Sequence, residues 1–68
     1  MDNIRLRLAS NLRRLRMAKG LSQEAYADVA GIHRTYVSDI ERGARNPTIT
    51  VVDKLARGLG VDVTELLR

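Results

Sequence analysis

Cysteine, phenylalanine and tryptophan are absent from this 68-residue sequence, and its aromatic residues are 2 tyrosines. Without cysteine, neither a disulfide nor a thiolate-bound metal can stabilise the fold. So few aromatic residues disfavour a β-sandwich, which usually contains more of them and more glycine-rich turns. The apolar residues are mainly leucine, isoleucine, valine and alanine, which suit close packing of helices. The length predicts one domain, covering residues 1–68.

The sequence also lacks the long apolar runs and reactive clusters that mark other protein classes. No apolar run approaches the roughly 18 residues of a membrane span, and the N-terminus lacks the continuous apolar stretch of a signal peptide. We therefore expect a cytoplasmic protein without a membrane partner. The single histidine, His33, has no second ligand at metal spacing, and no glycine-rich phosphate loop is present. The sequence predicts no enzyme activity, no metal, no cofactor and no small-molecule ligand.

Positive charge is what the sequence has in excess. Lysine and arginine number 12 against 8 acidic residues, which gives a formal net charge of +4. Six of these basic residues lie among the first twenty positions, where Asp2 is the one acid. A basic balance on a small domain favours an anionic partner, either nucleic acid or an acidic membrane surface.

The spacing of apolar residues predicts an all-α fold with five short helices. Ser22, Thr48 and Asp62 are suitable capping residues at the start of three segments, and a glycine closes each of the first four segments. In the last segment, Asp62 and Glu65 have the spacing of a capping box. The predicted segments cover about residues 3–19, 22–30, 33–42, 48–59 and 62–67.

Residues 23–42 are the most informative part of the sequence. Two short helices are joined here at Gly31, where glycine supplies the backbone freedom that a tight turn needs. Ala27 is small enough to lie where the two helices cross. Apolar positions of the second helix then point inward, at Ile32, Val37 and Ile40. The side chains left pointing outward are Arg34, Thr35, Ser38, Asp39 and Arg42.

This pattern resembles the helix-turn-helix of phage-repressor-like regulators, the Cro/CI or XRE family. The resemblance extends from Leu12 to Leu67 and includes the matches Gln23, Ala27, Gly31, Ile32, Val37, Ile40, Glu41-Arg42-Gly43, Asn46-Pro47 and Leu55-Ala56. It implies a compact five-helix domain that binds double-stranded DNA through the major groove and regulates transcription, acting as a repressor in many members. The run Arg34-Thr35-Tyr36 is similar to that of restriction-modification controller proteins, a subset of the family.

The resemblance implies two groups of DNA contacts. Base edges are expected to be read by Arg34, Thr35, Tyr36, Ser38 and Asp39. The DNA backbone is expected to be held by Gln23, His33, Arg42, Arg45 and Asn46. For Asp39, an alternative to accepting a bond from cytosine is that it orients Arg34 or Arg42. For Tyr36, the alternative is partial burial beside the first helix.

Two further groups are assigned to structure and assembly. Arg16 and Glu41 match a pair that forms an internal salt bridge in related repressors. A homodimer on a palindromic operator is implied, with a seam formed by Val61, Val63, Leu66 and Leu67. The alternative is that some of these four complete the core of the monomer. Three residues depart from the family pattern: His33 stands at the helix N-cap, Tyr26 replaces a common leucine, and Thr50 stands where the fourth helix often carries an acid.

A second function is considered beside transcriptional regulation. A protein-interaction module, such as an antitoxin whose DNA binding is secondary, has the same fold. Antitoxins of this type usually carry an additional disordered or hydrophobic toxin-binding segment, and this sequence shows none.

Overall fold

The computed structural model describes residues 3–68; Met1 and Asp2, which the predicted domain includes, lie outside the described residues. Over this range the chain forms five helices and no strand. They are α1 (Ile4–Ala18), α2 (Gln23–Ala30), α3 (Arg34–Glu41), α4 (Ile49–Leu59) and α5 (Val63–Leu67). The predicted all-α class is confirmed. Within the described range, no helix is long and apolar enough to cross a membrane.

Local hydrogen bonds define both ends of the helices. Each helix begins after a residue whose side chain accepts a bond from a backbone N–H of the first turn, and these residues are Asn3, Ser22, His33, Thr48 and Asp62. Such caps satisfy N–H groups that have no partner inside the helix. A glycine with positive φ follows each of the first four helices within two residues.

The core lies between α1 and the pair α2–α4, with α3 and α5 closing it. Its members are almost all aliphatic: Leu8, Leu12, Tyr26, Ala27, Ala30, Val37, Ile40, Val52, Leu55, Ala56, Leu59 and Leu66. Helix α1 packs against α3 and α5, while α2 packs against α3 and α4. Helix α4 therefore supports α2, and helix α1 supports α3.

Tyr26 fits into this aliphatic core because a glycine faces it. Its side chain is fully buried, and its hydroxyl donates a hydrogen bond of 2.5 Å to the carbonyl of Leu55. A Cβ at Gly58 of α4 would lie 3.1 Å from Tyr26 Cε1 and 3.1 Å from Ala30 Cβ. Gly58 thus provides the space that a tyrosine in place of leucine requires, although glycine within a helix is unfavourable by about 1 kcal/mol relative to alanine.

The C-terminal helix is attached to α1 by a side-chain amide. Asn11 Nδ2 donates to the carbonyls of Leu66 (3.0 Å) and Arg68 (3.1 Å). Leu66 itself is fully buried in the core of the monomer. Of the two roles considered for it, this burial fits completion of the monomer core, because a side chain that its own chain covers has no surface to offer a partner. Val61, Val63 and Leu67 are partly buried against the core.

Tyr26 makes stability sensitive to high pH. Burial raises the pKa of its hydroxyl above the usual value, and the negative charge of Glu41 adds to the shift. The folded state favours the protonated phenol, so this stabilisation is complete below about pH 10, the pKa of tyrosine in the unfolded chain, and is lost above it. We predict that the free energy of unfolding falls above about pH 10 by up to roughly 1.4 kcal/mol per pH unit from this group.

Urea unfolding of the wild type and of Tyr26→Phe between about pH 7 and pH 11.5 checks this prediction. At neutral pH the variant should be less stable by about 1 kcal/mol, since it lacks one buried hydrogen bond. The difference should shrink and then reverse as the pH rises. A constant difference across the range would show that Tyr26 does not cause the dependence.

Candidate nucleic-acid interface

The angle between α2 and α3 is set by a turn of three residues, Gly31 to His33. Gly31 has φ 73°, a left-handed backbone conformation that residues with a Cβ rarely adopt. The amide of Ile32 then donates to the carbonyl of Ala27 (3.0 Å), and the amide of Gly31 to that of Asp28 (3.3 Å). These two bonds form a Schellman ending, which turns the chain sharply after α2. Ala27 is buried, and its small side chain allows the helices to approach closely.

Helix α3 is amphipathic in a way that decides which side chains reach outward. Val37 and Ile40 are buried in the core. Arg34 and Thr35, in the first turn, are exposed, whereas Tyr36, Ser38 and Asp39 are partly buried. The five residues predicted to contact bases therefore differ in access: Arg34 and Thr35 are open to a ligand, and the other three lie at the edge of the exposed face.

His33 caps α3 with its imidazole. The backbone N–H of Thr35 donates to His33 Nδ1 at 3.1 Å. A ring nitrogen that accepts a hydrogen bond carries no proton, so in the neutral ring the proton is on Nε2. This arrangement leaves Nε2–H as a donor at the N-terminus of α3, and a helix N-terminus is a favourable place for an anion such as phosphate.

Arg16 of α1 and Glu41 of α3 form a bidentate ion pair between the two helices. Arg16 Nε and a terminal guanidinium nitrogen donate to the two oxygens of Glu41 at 2.6 and 3.0 Å. The side chains are only 12% and 5% exposed, respectively. The other terminal nitrogen of Arg16 donates to the carbonyl of Leu21 at 2.7 Å. The ion pair expected from the family resemblance is thus present, and it also holds the turn before α2. The bond to Glu41 raises the pKa of Arg16.

Gln23 takes part in the same network. Its Nε2 donates to Glu41 Oε1 at 3.1 Å, and the residue is partly buried. The predicted phosphate contact of Gln23 is thus accompanied by an internal role that the sequence did not indicate. One amide N–H remains for a further acceptor, because the side chain carries two.

The loop after α3 is organised by Asp39. Its carboxylate accepts a bond from the guanidinium of Arg42 and one of 3.2 Å from Arg45. These two bonds, that from Arg42 first, hold the pKa of Asp39 below its ordinary value. The guanidinium of Arg45 also lies over the ring of Tyr36, 4.4 Å from its centroid. Of the two roles considered for Asp39, the structure shows the orienting one, with Arg45 in place of Arg34.

The contact between Asp39 and Arg42 could be expected from the sequence, because the two residues are three positions apart at the end of α3. The contacts of Arg45 with Asp39 and with Tyr36 had no such signal. Arg45 comes after the helix, and it approaches Asp39 and Tyr36 because Gly43, with φ 70°, reverses the chain. A Cβ at Gly43 would lie 2.7 Å from Leu6 Cδ2, so α1 also supports this loop from behind. Asn46, the last predicted backbone contact, is exposed beside Arg45.

Comparison with known proteins defines the class to which this arrangement belongs. A family model described as helix-turn-helix, HTH_3, matches residues 12–66. The chain therefore belongs to the HTH_3 helix-turn-helix family. Family membership identifies it as a DNA-binding transcriptional regulator, and its named relatives include control proteins and transcriptional regulators. The predicted membership in this family is confirmed.

Particular relatives come from several bacteria. The control protein C.BamHI of Bacillus amyloliquefaciens is 43% identical over 67 residues, which are 97% of this chain and 83% of that protein. The crystal structure of the hypothetical transcription factor NHTF from Neisseria has a TM-score of 0.94 and 42% identity, covering 97% of this chain and 76% of that one. The crystal structure of the restriction-modification controller protein C.AhdI from Aeromonas hydrophila has a TM-score of 0.88 and 44% identity, covering 91% of this chain and 94% of that one.

The capping role of His33 can be tested by substitution. We predict that His33→Ala lowers the free energy of unfolding by about 1 kcal/mol, since it removes the cap. His33→Ser should be at least as stable as the wild type because serine is a better cap. Urea unfolding measures both values. Equal destabilisation by alanine and serine would contradict the capping role.

Proposed function

We propose that the chain binds a palindromic operator in duplex DNA as a homodimer, with α3 of each copy in the major groove. The observation that carries this proposal is that α3 has one buried face and one exposed face. Its buried face, at Val37 and Ile40, is fixed in the core, while Arg34 and Thr35 project from its first turn. The residues that would face the bases are thus anchored by residues that would not touch DNA.

Arg34 and Thr35 are proposed as the main readers of sequence. An arginine at the exposed start of a recognition helix can donate two bonds to guanine O6 and N7. A threonine can contact the methyl group of thymine or bond to a base edge. Ser38 lies one turn further on and is proposed as a weaker contact. Tyr36 supports Arg45 through its ring, and its partly exposed side chain is proposed to contact DNA as well.

The proposed backbone contacts surround this face on two sides. His33 Nε2 and the free amide N–H of Gln23 lie at the helix starts, where phosphates are favourably held. Arg42, Arg45 and Asn46 lie in the loop beyond α3, and all three are exposed. Contacts of this kind position the protein without specifying sequence. A protein that binds DNA in this way is proposed to act in the cytoplasm.

The proposed dimer seam is supported by an exposed apolar surface on the side of α4 and α5. Ile49 is 89% exposed, and Ile4 is exposed as well. Both line a shallow groove together with Leu67 and Pro47. We therefore centre the seam on Leu67 and Ile49, flanked by Val61 and Val63, in place of the buried Leu66. Two-fold pairing would set the half-sites about 34 Å apart, one turn of DNA.

Selection of bound duplexes from a random library tests the function. We predict recovery of a palindromic site, and binding that weakens with salt by a log–log slope of roughly −0.9 for each phosphate contacted. On the selected site, Arg34→Ala should lose roughly 1–3 kcal/mol and become tolerant at one base pair per half-site. Absence of duplex binding at low salt would refute the proposal and favour a protein-interaction module.

Replacement of an exposed seam residue tests the homodimer. We predict that Ile49→Asp sediments as a monomer at concentrations where the wild type is a dimer, because a charge cannot be buried there without a partner. The variant should remain folded, since an acid in the first turn of α4 is favourable to the helix. Met17→Asp, an exposed position on α1 outside this groove, is the matched control. A dimeric Ile49→Asp variant would refute this seam.

A further inference from the structure

The cluster of Asp39, Arg42, Arg45 and Tyr36 places one carboxylate against two arginines that the proposed function assigns to DNA phosphates. We propose that Asp39 acts as an internal substitute for a DNA phosphate, which occupies Arg42 and Arg45 in the free protein and so lowers the affinity for non-cognate DNA. This inference rests on the proposed function and adds a residue that determines specificity to it.

The geometry shows that the carboxylate is less exposed than the arginines it binds. The side chain of Asp39 is 19% exposed, whereas those of Arg42 and Arg45 are 65% and 45% exposed. The backbone of Asp39 is fixed, since its carbonyl accepts a bond of 2.9 Å from the amide of Ala44. With the bond from Gly43 to Ile40 (3.0 Å), this makes a Schellman ending for α3. The guanidinium groups are therefore the partners that a DNA phosphate can reach, whereas Asp39 is held at the end of the helix.

The chemistry of the exchange follows from the acceptors. Carboxylate and phosphate oxygens accept the same kind of charge-assisted bond from guanidinium groups. When an arginine leaves Asp39 for a phosphate, it exchanges one strong bond for another, so the net gain is small. The cluster also has a net charge of +1 from three charged groups, where two unpaired arginines would present +2. Both effects reduce sequence-independent attraction to DNA.

A cognate site would differ because it offers Asp39 a new donor. A carboxylate released beside the major groove can accept a bond from the N4 amino group of cytosine. Where guanine, thymine or a phosphate faces it instead, the free carboxylate meets only acceptors, which is unfavourable. Release of the arginines is thus coupled to the presence of a suitable base pair. The two roles considered for Asp39 from the sequence become two states of one residue.

Two variants with equal charge change test the proposal. Asp39→Asn should raise affinity for random-sequence duplex about two- to fivefold at low salt, the range implied by an exposed ion pair. It should also steepen the log–log salt slope by roughly one unit and lower the ratio of cognate to non-cognate affinity. Asp53→Asn, which disrupts the exposed ion pair with Arg57 on α4, should change neither the slope nor the ratio. Equal loss of affinity on all sequences in Asp39→Asn, or an unchanged slope, would overturn the proposal.

A second measurement works without DNA. Nuclear magnetic relaxation of the Nε–H groups of Arg42 and Arg45 should show restricted side chains in the free wild type and faster motion in Asp39→Asn. Identical mobility in the two proteins would contradict the internal substitute whether or not duplex binds. Failure of the wild type to bind duplex, with restricted arginines, would instead refute the proposed function and, with it, the role of Asp39 in specificity.

Discussion

The ion pair between Arg16 and Glu41 is the contact on which the geometry of this molecule depends. Two charges so little exposed are unfavourable unless their bonds are well formed, since desolvation opposes burial of each ion. Here Glu41 accepts from Arg16 and Gln23, and Arg16 also binds the carbonyl of Leu21. One network therefore joins α1, the turn before α2, the start of α2 and the end of α3. Directional bonds of this kind fix the orientation of α3 more narrowly than aliphatic packing alone.

The outward-facing residues of α3 and the loop after it depend on this network for their position. Aliphatic residues anchor α3, its first turn points outward, and the loop after it carries the cationic groups. Asp39 connects α3 to this loop, because it lies on the helix and binds Arg42 at the helix end and Arg45 in the loop. A regulator must bind its operator strongly and other DNA weakly, and an internal acceptor opposes only the sequence-independent part of binding. The proposed homodimer would double the number of base contacts and enforce two-fold symmetry.

Local features of the sequence were sufficient to predict the helices. Caps such as Ser22 and Thr48, and terminating glycines such as Gly31, act through bonds to residues only a few positions away. Contacts between distant parts of the chain were harder to predict. The family resemblance indicated the Arg16–Glu41 pair, but nothing local predicted that Arg45 would lie over Tyr36 or that Gly58 would make room for Tyr26. The amphipathic pattern of α5 did not distinguish Leu66, which faces the core, from Leu67, because five residues make little more than one turn.

A double-mutant cycle on Arg16 and Glu41 tests whether this ion pair orients α3. Urea unfolding would be measured for Arg16→Met, Glu41→Met and the double variant. Each single change is expected to destabilise the protein by about 3 kcal/mol or more, because it leaves one charge buried without its partner. The double variant should be more stable than either single one and should still bind duplex DNA less tightly than the wild type, since apolar contact does not orient α3. Additive losses of stability, or a double variant with unchanged DNA affinity, would contradict the account.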